Sequence, residues 1–557
     1  ENSIKYAQLF LNRMIFIYFA ESTGKMPRRI FQKDILKILG TVMIFGESTH
    51  LIYDIIMRVF DKLDKGSDDS VKIFGFNGEL FNERFPALIS FKDLRDESYF
   101  KNIFNKSTIK VRPELDNESK KIFKVHKGKI NPIIKNLLIL GSFDFRTEIN
   151  VNILGHIFEQ SISDIEILKG DKKQGKRKKE GIYYTPEFVT GFICKNTIIP
   201  FLSKKGVNSI SHLIQEYNED IEELEEKVNK IKILDPACGS GAFLLKAIEI
   251  LVEIKKEIID FKNFRRRFKI TVSESVKKSP RSRKTEEVIY ESFQKFNEIE
   301  EIRDIIQNNI YGVDLNEESV EITKLSIFFK ICKKNEKLLT LKDMIKCGDS
   351  LIENLDITPK AFDWKKNFSE IFENRKFDVI IGNPPWGAEF NNRKKQHLKK
   401  IYNRVSFRTV NSFKMFIERS LSLLSPNGSF GFIVPNGIIE MPDYSDVRRL
   451  ILDFSSNIKI IDMGDDIFED VNYPSSIITF SMASLKPDSI QLKDLKLYNR
   501  EQLSTYELER ENFKTIRIED LDDKLRFKVN ELDFLEDFTC LIEDKYYVIF
   551  GVKVYQT

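Results

Sequence analysis

The sequence predicts an α/β fold in which a parallel sheet is covered by helices on both faces. From about residue 181, short β-rich runs alternate with helical apolar patterns, which is the arrangement of a parallel sheet. Carboxylates and small residues follow directly after several of these runs. The preceding part has helical periodicity alone. We therefore divide the chain into a helical N-terminal or connector domain (1–165), an α/β domain (166–490) and a C-terminal region (491–557).

The N-terminal region is predicted to be helical from the spacing of its apolar residues. The first helix is indicated by four of them at helical intervals: Ala7, Leu11, Met14 and Tyr18. Further helical periods lie at 35–39, 51–60 and 153–162. Such helices are typical of packing and do not by themselves indicate a function.

The α/β region contains a regular alternation of elements. Strands are predicted at 231–234, 310–313, 377–381, 430–434, 458–461 and 477–480, and helices at 242–259, 317–331 and 413–424. Strands separated by helices pair in parallel, and ligands of such sheets bind beyond the carboxyl ends of the strands. Beyond about residue 490 the chain is charged and irregular, and apolar alternation returns at 546–555.

Composition excludes several classes of protein. A chain of 557 residues is too long for one core, and its hydropathic balance is that of a water-soluble globular protein. No apolar run approaches the ~20 residues that span a bilayer, and no signal peptide is visible. Five scattered cysteines without a CxxC pair favour a reducing cytoplasm and indicate neither a zinc or other metal site nor a disulfide framework.

Charge is nearly balanced, with 89 basic and 85 acidic residues, so its distribution is more informative than its sum. Two segments are locally basic, 172–179 and 265–284. Each is equally compatible with a solvated flexible loop and with contacts to nucleic-acid phosphates.

A ligand pocket is predicted from four features that follow strands. Residues 233–243 form a strand, a small-residue loop and a helix, and the loop lacks the Lys-Ser/Thr pair of a Walker A motif. A GxG turn alone is a weak signal. However, Asp314 ends the next strand, Asp349 follows a later one, and Asn383-Pro384-Pro385-Trp386 ends a buried strand in a rigid turn.

These motifs resemble those of one enzyme family. Asn383-Pro384-Pro385-Trp386 is similar to the catalytic motif of amino-methyltransferases, and 235–241 to their cofactor loop. Residues 181–186 resemble the additional cofactor segment of gamma-class N6-adenine DNA methyltransferases. More weakly, 153–159 resembles the single-chain (type IIG-like) restriction–modification and related phage-defence enzymes. The resemblance implies a Rossmann-like, S-adenosylmethionine-dependent methyltransferase sheet that adds a methyl group to the N6 amine of adenine in double-stranded DNA.

The same resemblance implies the site residues. The cofactor site would be formed by Tyr183, Thr185, Asp235, Ala237, Cys238, Gly239, Gly241, Asp314, Asp349, Ser350 and Leu351. In it, Thr185 and Tyr183 would contact the methionine end, Asp314 the ribose, and Asp349 with Ser350 and Leu351 the adenine ring. The Asn383 amide oxygen and the Pro384 carbonyl would accept the hydrogens of the target amine, and Pro385 would stiffen the turn. Trp386 and Phe468 would stack on the flipped base, although an isolated Phe is more often a core residue.

Alternatives remain open at this point. A protein-glutamine methyltransferase also uses an Asn-Pro-Pro turn, a cytosine-N4 methyltransferase usually has Ser or Asp in place of Asn383, and a catalytically idle DNA-binding subunit of a defence complex is a third possibility.

Pro487-Asp488 and Asp494-Leu495-Lys496 match the letters of a nuclease pattern, which we interpret as a coincidence. The chain starts at Glu1, and 551–557 resembles the opening strand of a recognition domain. We therefore expect a fragment whose nuclease domain or subunit and specificity domain lie outside this chain.

Overall fold

The structure is a computed structural model that describes most of the α/β region and parts of both ends of the chain. The described residues are 2–26, 50–66, 140, 185–276, 294–331, 339–406, 409–465, 467–468, 473–496, 498, 502–503, 513–527, 546–549 and 553–556. The helices are α1 (Asn2–Ser22), α2 (His50–Lys65), α3 (Glu187–Leu202), α4 (Ile210–Glu216), α5 (Ile221–Lys230), α6 (Ala242–Val276), α7 (Glu298–Asn309), α8 (Glu317–Ile331), α9 (Trp364–Asn367), α10 (Ser369–Asn374), α11 (Asn392–Ile401), α12 (Ser412–Leu423), α13 (Gly437–Glu440) and α14 (Ser445–Phe454). The strands are β1 (Ile233–Asp235), β2 (Ile310–Asp314), β3 (Ile345–Cys347), β4 (Phe377–Gly382), β5 (Leu424–Pro435), β6 (Ser455–Gly464), β7 (Ser475–Met482), β8 (Ser489–Asp494), β9 (Lys514–Arg517), β10 (Tyr546–Ile549) and β11 (Lys553–Gln556).

The central element is a nine-stranded sheet in the order β3-β2-β1-β4-β5-β7-β6-β8-β9. The half from β3 to β5 is parallel throughout, and each of the six predicted strands is present. The expectation of an all-parallel sheet is wrong for β7, which is antiparallel to both β5 and β6. Residues 465–474 are too few for a helical crossover, which needs a dozen or more residues, so β7 turns back between its neighbours.

The middle of the sheet is buried on both faces, which explains the continuous apolar runs in its strands. All six residues of β4 and all three of β1 are buried. Helix α3 lies close against β5, because a Cβ atom at Gly431 would come within 2.7 Å of Ile193 and 2.8 Å of Thr197. This packing places the residues just before α3, including Thr185, beside the central strands.

The described N-terminal helices pack on the outer layer of the sheet. Phe19 and Phe16 of α1 contact Phe329 of α8, with ring centroids 4.3 and 6.2 Å apart. The Arg13 guanidinium lies 5.2 Å from the centre of the Phe60 ring and so joins α1 to α2. Helices were predicted correctly in both segments, whereas the helical periods at 35–39 and 153–162 lie outside the described residues.

The sheet continues past the C-terminal boundary that the sequence suggested. β8 and β9 extend the sheet, so the boundary at 490 falls inside β8. The fully buried Arg448 donates hydrogen bonds to the carbonyls of Ile438 (3.0 Å) and Lys524 (2.8 Å), which fastens the segment after β9 to α13 and α14. β10 and β11 form a separate antiparallel hairpin.

The residues that match the nuclease pattern lie at this edge of the sheet. Asp488 immediately precedes β8 and Asp494 ends it, so these carboxylates are separated by roughly 20 Å at about 3.3 Å per residue. Lys496 pairs with Asp462 at 3.0 Å and with Asp494 at 3.6 Å, whereas Asp488 lies at the opposite end of β8. The three residues therefore do not form one catalytic cluster. In the part of the chain that the structure describes, no helix is both long and apolar enough to cross a membrane.

Candidate functional site

The turn from β1 into α6 brings the main chain into a conformation that glycine favours. Gly239 and Gly241 have φ angles of 54° and 86°. A Cβ atom at Gly241 would lie 2.9 Å from the Thr323 side chain, which leaves no room for a larger residue. The Thr323 hydroxyl also donates to the Gly239 carbonyl at 2.7 Å. The small residues therefore allow a tight loop at the N-terminus of α6, where the main chain can approach a ligand closely.

Asp314, at the carboxyl end of β2, is tied to that loop. Its two carboxylate oxygens accept hydrogen bonds from the N–H groups of Gly239 (2.9 Å) and Asn316 (2.8 Å). The loop and the carboxylate thus form one unit across neighbouring strands. Leu315, the next residue, is apolar but 50% exposed, and it was not among the predicted site residues. The signal that could have identified it is its position directly after Asp314.

The segment after β3 makes two kinds of contact: Ser350 contacts the loop after β1, and Asp349 contacts α11. The Ser350 hydroxyl donates to the Pro236 carbonyl at 2.6 Å, so Ser350 supports the loop after β1, and Leu351 is buried. Asp349 accepts the Leu351 N–H at 3.2 Å. Its other oxygen pairs with Lys394 of α11 at 3.4 Å. Lys394 was not predicted, because its contact with Asp349 is made across 45 residues of sequence.

Asp235, Ala237 and Cys238 support the loop from within. Asp235 is 1% exposed and accepts the Ala237 N–H at 3.0 Å. Burial, with a smaller contribution from Asp314, raises the pKa of Asp235 to about 8. Burial likewise raises the pKa of the Cys238 thiol well above its usual value, which is unfavourable for a nucleophilic thiolate. A Cβ atom at Gly382 would lie 2.7 Å from the Asp235 carboxyl, so the loop and the end of β4 are in close contact.

The Asn383-Pro384-Pro385-Trp386 turn lies at the carboxyl end of β4 and is held from two sides. The Asn383 amide nitrogen donates to the buried Thr185 hydroxyl at 3.2 Å. On the other side, the Ser412 hydroxyl at the start of α12 donates to the Pro385 carbonyl at 2.5 Å. Thr185 therefore joins the segment before α3 to the predicted catalytic amide, a link that sequence reasoning did not identify. Tyr183 lies outside the described residues.

Three aromatic rings meet beside this turn. Trp386 contacts Phe468, with ring centroids 5.5 Å apart and planes at 74°, and Tyr473, at 5.7 Å and 58°. The indole N–H of Trp386 donates to the Ile433 carbonyl at 3.3 Å and fixes the ring against β5. The predicted pair, Trp386 and Phe468, is thus brought together in an edge-to-face arrangement. With centroids 5.5 Å apart, a base lying between them would require the two rings to move apart. Tyr473 was not predicted.

Sheet order explains why these features converge. β1 pairs in parallel with β2 on one side and with β4 on the other, so Asp314, the glycine loop and Asn383 follow three adjacent strand ends. Neighbouring strands are about 4.8 Å apart, which places an acid, a main-chain cradle and a carboxamide within roughly 10 Å. Such an edge can bind an extended ligand and present a second group to the carboxamide.

Comparison with known families agrees with this geometry. The N-6 DNA methylase family matches residues 150–272, and the Eco57I restriction-modification methylase family matches residues 308–468. Between them, these matches include the glycine loop, Asp314, the Asn383–Trp386 turn and Phe468.

Curated relatives are of the same kind. A Methanocaldococcus jannaschii protein named as a type II restriction enzyme and methyltransferase, RM.MjaORFECS2P, is 24% identical over 88% of this chain and 49% of its own length. The Escherichia coli type II restriction enzyme and methyltransferase RM.Eco57I is 26% identical over 56% of this chain and 29% of its own length. This chain thus spans about half, or less, of the length of these relatives.

Among solved structures, the type IIL restriction-modification enzyme MmeI, determined in complex with DNA, has a similar fold. The TM-score is 0.55 at 16% identity, over 94% of this chain and 58% of that one. This likeness agrees with the predicted Rossmann-like α/β sheet. Two regions of this chain thus match the N-6 DNA methylase and Eco57I restriction-modification methylase families, and the curated relatives it resembles are named as type II restriction enzymes and methyltransferases.

Proposed function

We propose that this protein transfers a methyl group from S-adenosylmethionine to the N6 amine of an adenine that has been flipped out of double-stranded DNA. We further propose that it does so at a specific sequence, within a restriction–modification or phage-defence system. The observation that carries the proposal is the hydrogen bond between Asn383 and Thr185. It couples the amide assigned to the target amine with the segment assigned to the cofactor, at the edge where β1, β2 and β4 end.

The residues present fit the cofactor. Gly239 and Gly241 adopt positive φ angles, and a Cβ atom at 241 would meet Thr323, so the tight main-chain loop at the start of α6 requires glycine. The Asp314 carboxylate is held at that loop by the Gly239 N–H, where it can accept the ribose hydroxyls. When bound, S-adenosylmethionine supplies a methyl group on a sulfonium, which is an activated leaving group.

The residues of the chain would activate the N6 amine of the target adenine. The lone pair of an exocyclic adenine amine is delocalised into the ring, which makes the amine a weak nucleophile. Because the Asn383 nitrogen donates to Thr185, the amide is oriented so that its oxygen is the end that can accept an amine hydrogen. The Pro384 carbonyl would accept the second hydrogen. Two acceptors favour a pyramidal nitrogen with its lone pair directed at the methyl group, and correct placement then supplies much of the rate.

The turn is preorganised for this task. Its two prolines restrict the backbone, and Ser412 clamps the Pro385 carbonyl. A hydrogen-bond acceptor that is fixed before the reaction does not have to reorganise during it, so the contribution to transition-state stabilisation is larger. Burial of Cys238, which raises the pKa of its thiol, agrees with direct transfer without a covalent enzyme intermediate.

Replacement of Asp314 by alanine is expected to weaken S-adenosylmethionine binding by at least roughly tenfold, because charge-assisted hydrogen bonds to the ribose are lost. Isothermal titration would measure the dissociation constant, and a thermal melt would show that the fold is retained. As a matched control, Asp356→Ala removes a carboxylate from an exposed turn and should leave the affinity unchanged. An unchanged affinity of Asp314→Ala would mean that the ribose binds elsewhere.

The acceptor of the methyl group is tested by incubating the protein with S-adenosylmethionine labelled in its methyl group, adenine-unmethylated duplex DNA and a crude protein fraction. The label is then separated into nucleic acid and protein. The proposal predicts label in the DNA, which is lost on DNase treatment. Label in protein glutamine would favour the protein-glutamine alternative. Cofactor binding without any transfer would favour an idle DNA-binding subunit.

A further inference from the structure

Tyr473 differs from the other two rings beside the catalytic turn in its exposure. Trp386 and Phe468 are 4% and 3% exposed, whereas Tyr473 is 46% exposed. Nevertheless, the Tyr473 ring is in contact with Trp386, at 5.7 Å between centroids. An aromatic side chain of this size that remains half in solvent while touching a buried indole can accept a further flat group on its open side.

The backbone at Tyr473 is fixed in register with the catalytic strands. Tyr473 immediately precedes Pro474, whose carbonyl accepts the Asn436 N–H at 2.9 Å, just beyond the end of β5. The first residue of β7, Ser475, is fully buried and pairs with Pro435. The ring is therefore not on an independent arm. It lies two residues before β7, and β5 is the one strand between β7 and β4, which leads into the Asn383 turn.

A second tyrosine lies on the same side. Burial raises the pKa of Tyr444, and the neighbouring Tyr473 hydroxyl adds to that effect, which indicates that the two phenols are close. Tyr444 in turn packs edge-to-face on Phe413, with centroids 5.1 Å apart. Phe413 follows Ser412, the residue that clamps the Pro385 carbonyl. Aromatic side chains therefore lie on both sides of the catalytic turn: Tyr473 contacts Trp386, and Tyr444 contacts Phe413, the residue after Ser412.

We propose that Tyr473 is a base-positioning residue, on which the extruded adenine stacks as it enters the site beside Trp386. This proposal rests on the function proposed above. A base that leaves the duplex arrives from solvent, and among these three rings Tyr473 alone presents a large open surface. Phe468 would then close the pocket from inside, as its burial indicates. Stacking on Tyr473 offsets part of the cost of unpairing the base.

The test uses initial rates of label transfer to unmethylated duplex DNA at saturating S-adenosylmethionine. Tyr473→Ala is expected to lower kcat/KM for DNA by roughly tenfold to a hundredfold, the range that a base–aromatic contact supplies. Tyr473→Phe, which keeps the ring, should remain within about twofold of the unaltered protein. The dissociation constant for S-adenosylmethionine and the melting temperature should be unchanged in both variants.

Tyr498→Ala is the matched control, because Tyr498 is a partly exposed tyrosine that follows β8, and three strands lie between β8 and β4. It should not alter kcat/KM. Once the modified adenine is mapped, a duplex with a mismatch opposite that adenine supplies a further readout. The defect of Tyr473→Ala should shrink on it, since a mismatched base costs less to flip.

Three results would overturn the proposal. One is an unaltered kcat/KM in Tyr473→Ala. Another is an equal loss in Tyr473→Phe, which would assign the effect to the hydroxyl group. A third is a loss of cofactor affinity that matches the loss of rate. Absence of label transfer by the unaltered protein would instead contradict the proposed function itself.

Discussion

Asn383→Ala should reduce methyl transfer to DNA by at least roughly a hundredfold while leaving the affinity for S-adenosylmethionine within a few-fold of the unaltered protein. The reason is that the amide oxygen is assigned to the target amine, and loss of one preorganised hydrogen-bonding group at a reacting centre costs about 10²–10³ in rate. Single-turnover label transfer measures the chemical step, and isothermal titration measures cofactor binding.

Two further variants make this test specific. Asn354→Ala removes an exposed asparagine from a turn and should leave transfer unchanged. Thr185→Val keeps the shape of the side chain but removes the hydroxyl that accepts from the Asn383 amide at 3.2 Å. We expect an intermediate loss of rate from it, because the amide would be present but less well oriented. Transfer at the normal rate by Asn383→Ala would exclude the mechanism.

Asp446→Ala should lower the free energy of unfolding by about 3–5 kcal/mol, the cost of leaving a buried charge without its partner. Lys414 of α12 has no exposed side-chain surface and pairs with Asp446 of α14 at 2.8 Å. Burial already lowers the pKa of Lys414, since it disfavours the charged form. Urea denaturation followed by circular dichroism would measure the change.

The double variant Lys414→Met with Asp446→Leu is the control for this prediction. It removes both charges together and should recover most of the lost stability, because well-packed apolar side chains can replace a buried ion pair. Asp453→Ala, which removes a partly exposed carboxylate that pairs with Lys486 at the other end of α14, should have little effect. A loss below about 1 kcal/mol in Asp446→Ala would show that the pair does not hold α12 against α14.

The parallel half of the sheet could be predicted because its signals are local. Buried strands such as β4 are short apolar runs, and Asp314 and Asn383 directly follow strands in the sequence. The rule that ligands bind at the carboxyl ends of parallel strands then brings these residues together without further information. The fold predicted from the sequence is confirmed by the sheet order, and the predicted resemblance to N6-adenine DNA methyltransferases is confirmed by the two methylase-family matches.

The remainder depends on contacts that sequence spacing does not contain. Thr185 and Asn383 are 198 residues apart in the chain, and their hydrogen bond arises only because α3 packs on β5. β7 reverses direction because too few residues follow β6 for a crossover, a consequence of loop length rather than of apolar pattern. Tyr473 has no distinguishing neighbours in sequence. Its contact with Trp386 depends on that reversed strand.

The central claim is the identity of the methylated atom, and the most direct measurement is the nucleoside that receives the methyl group. Unmethylated duplex DNA would be incubated with the protein and S-adenosylmethionine, digested to nucleosides and analysed by mass spectrometry against authentic standards. The Asn383→Ala variant supplies the background. The account predicts N6-methyldeoxyadenosine, formed by the unaltered protein and absent from the variant. Formation of N4-methyldeoxycytidine, or of an equal amount of N6-methyldeoxyadenosine by Asn383→Ala, would contradict it.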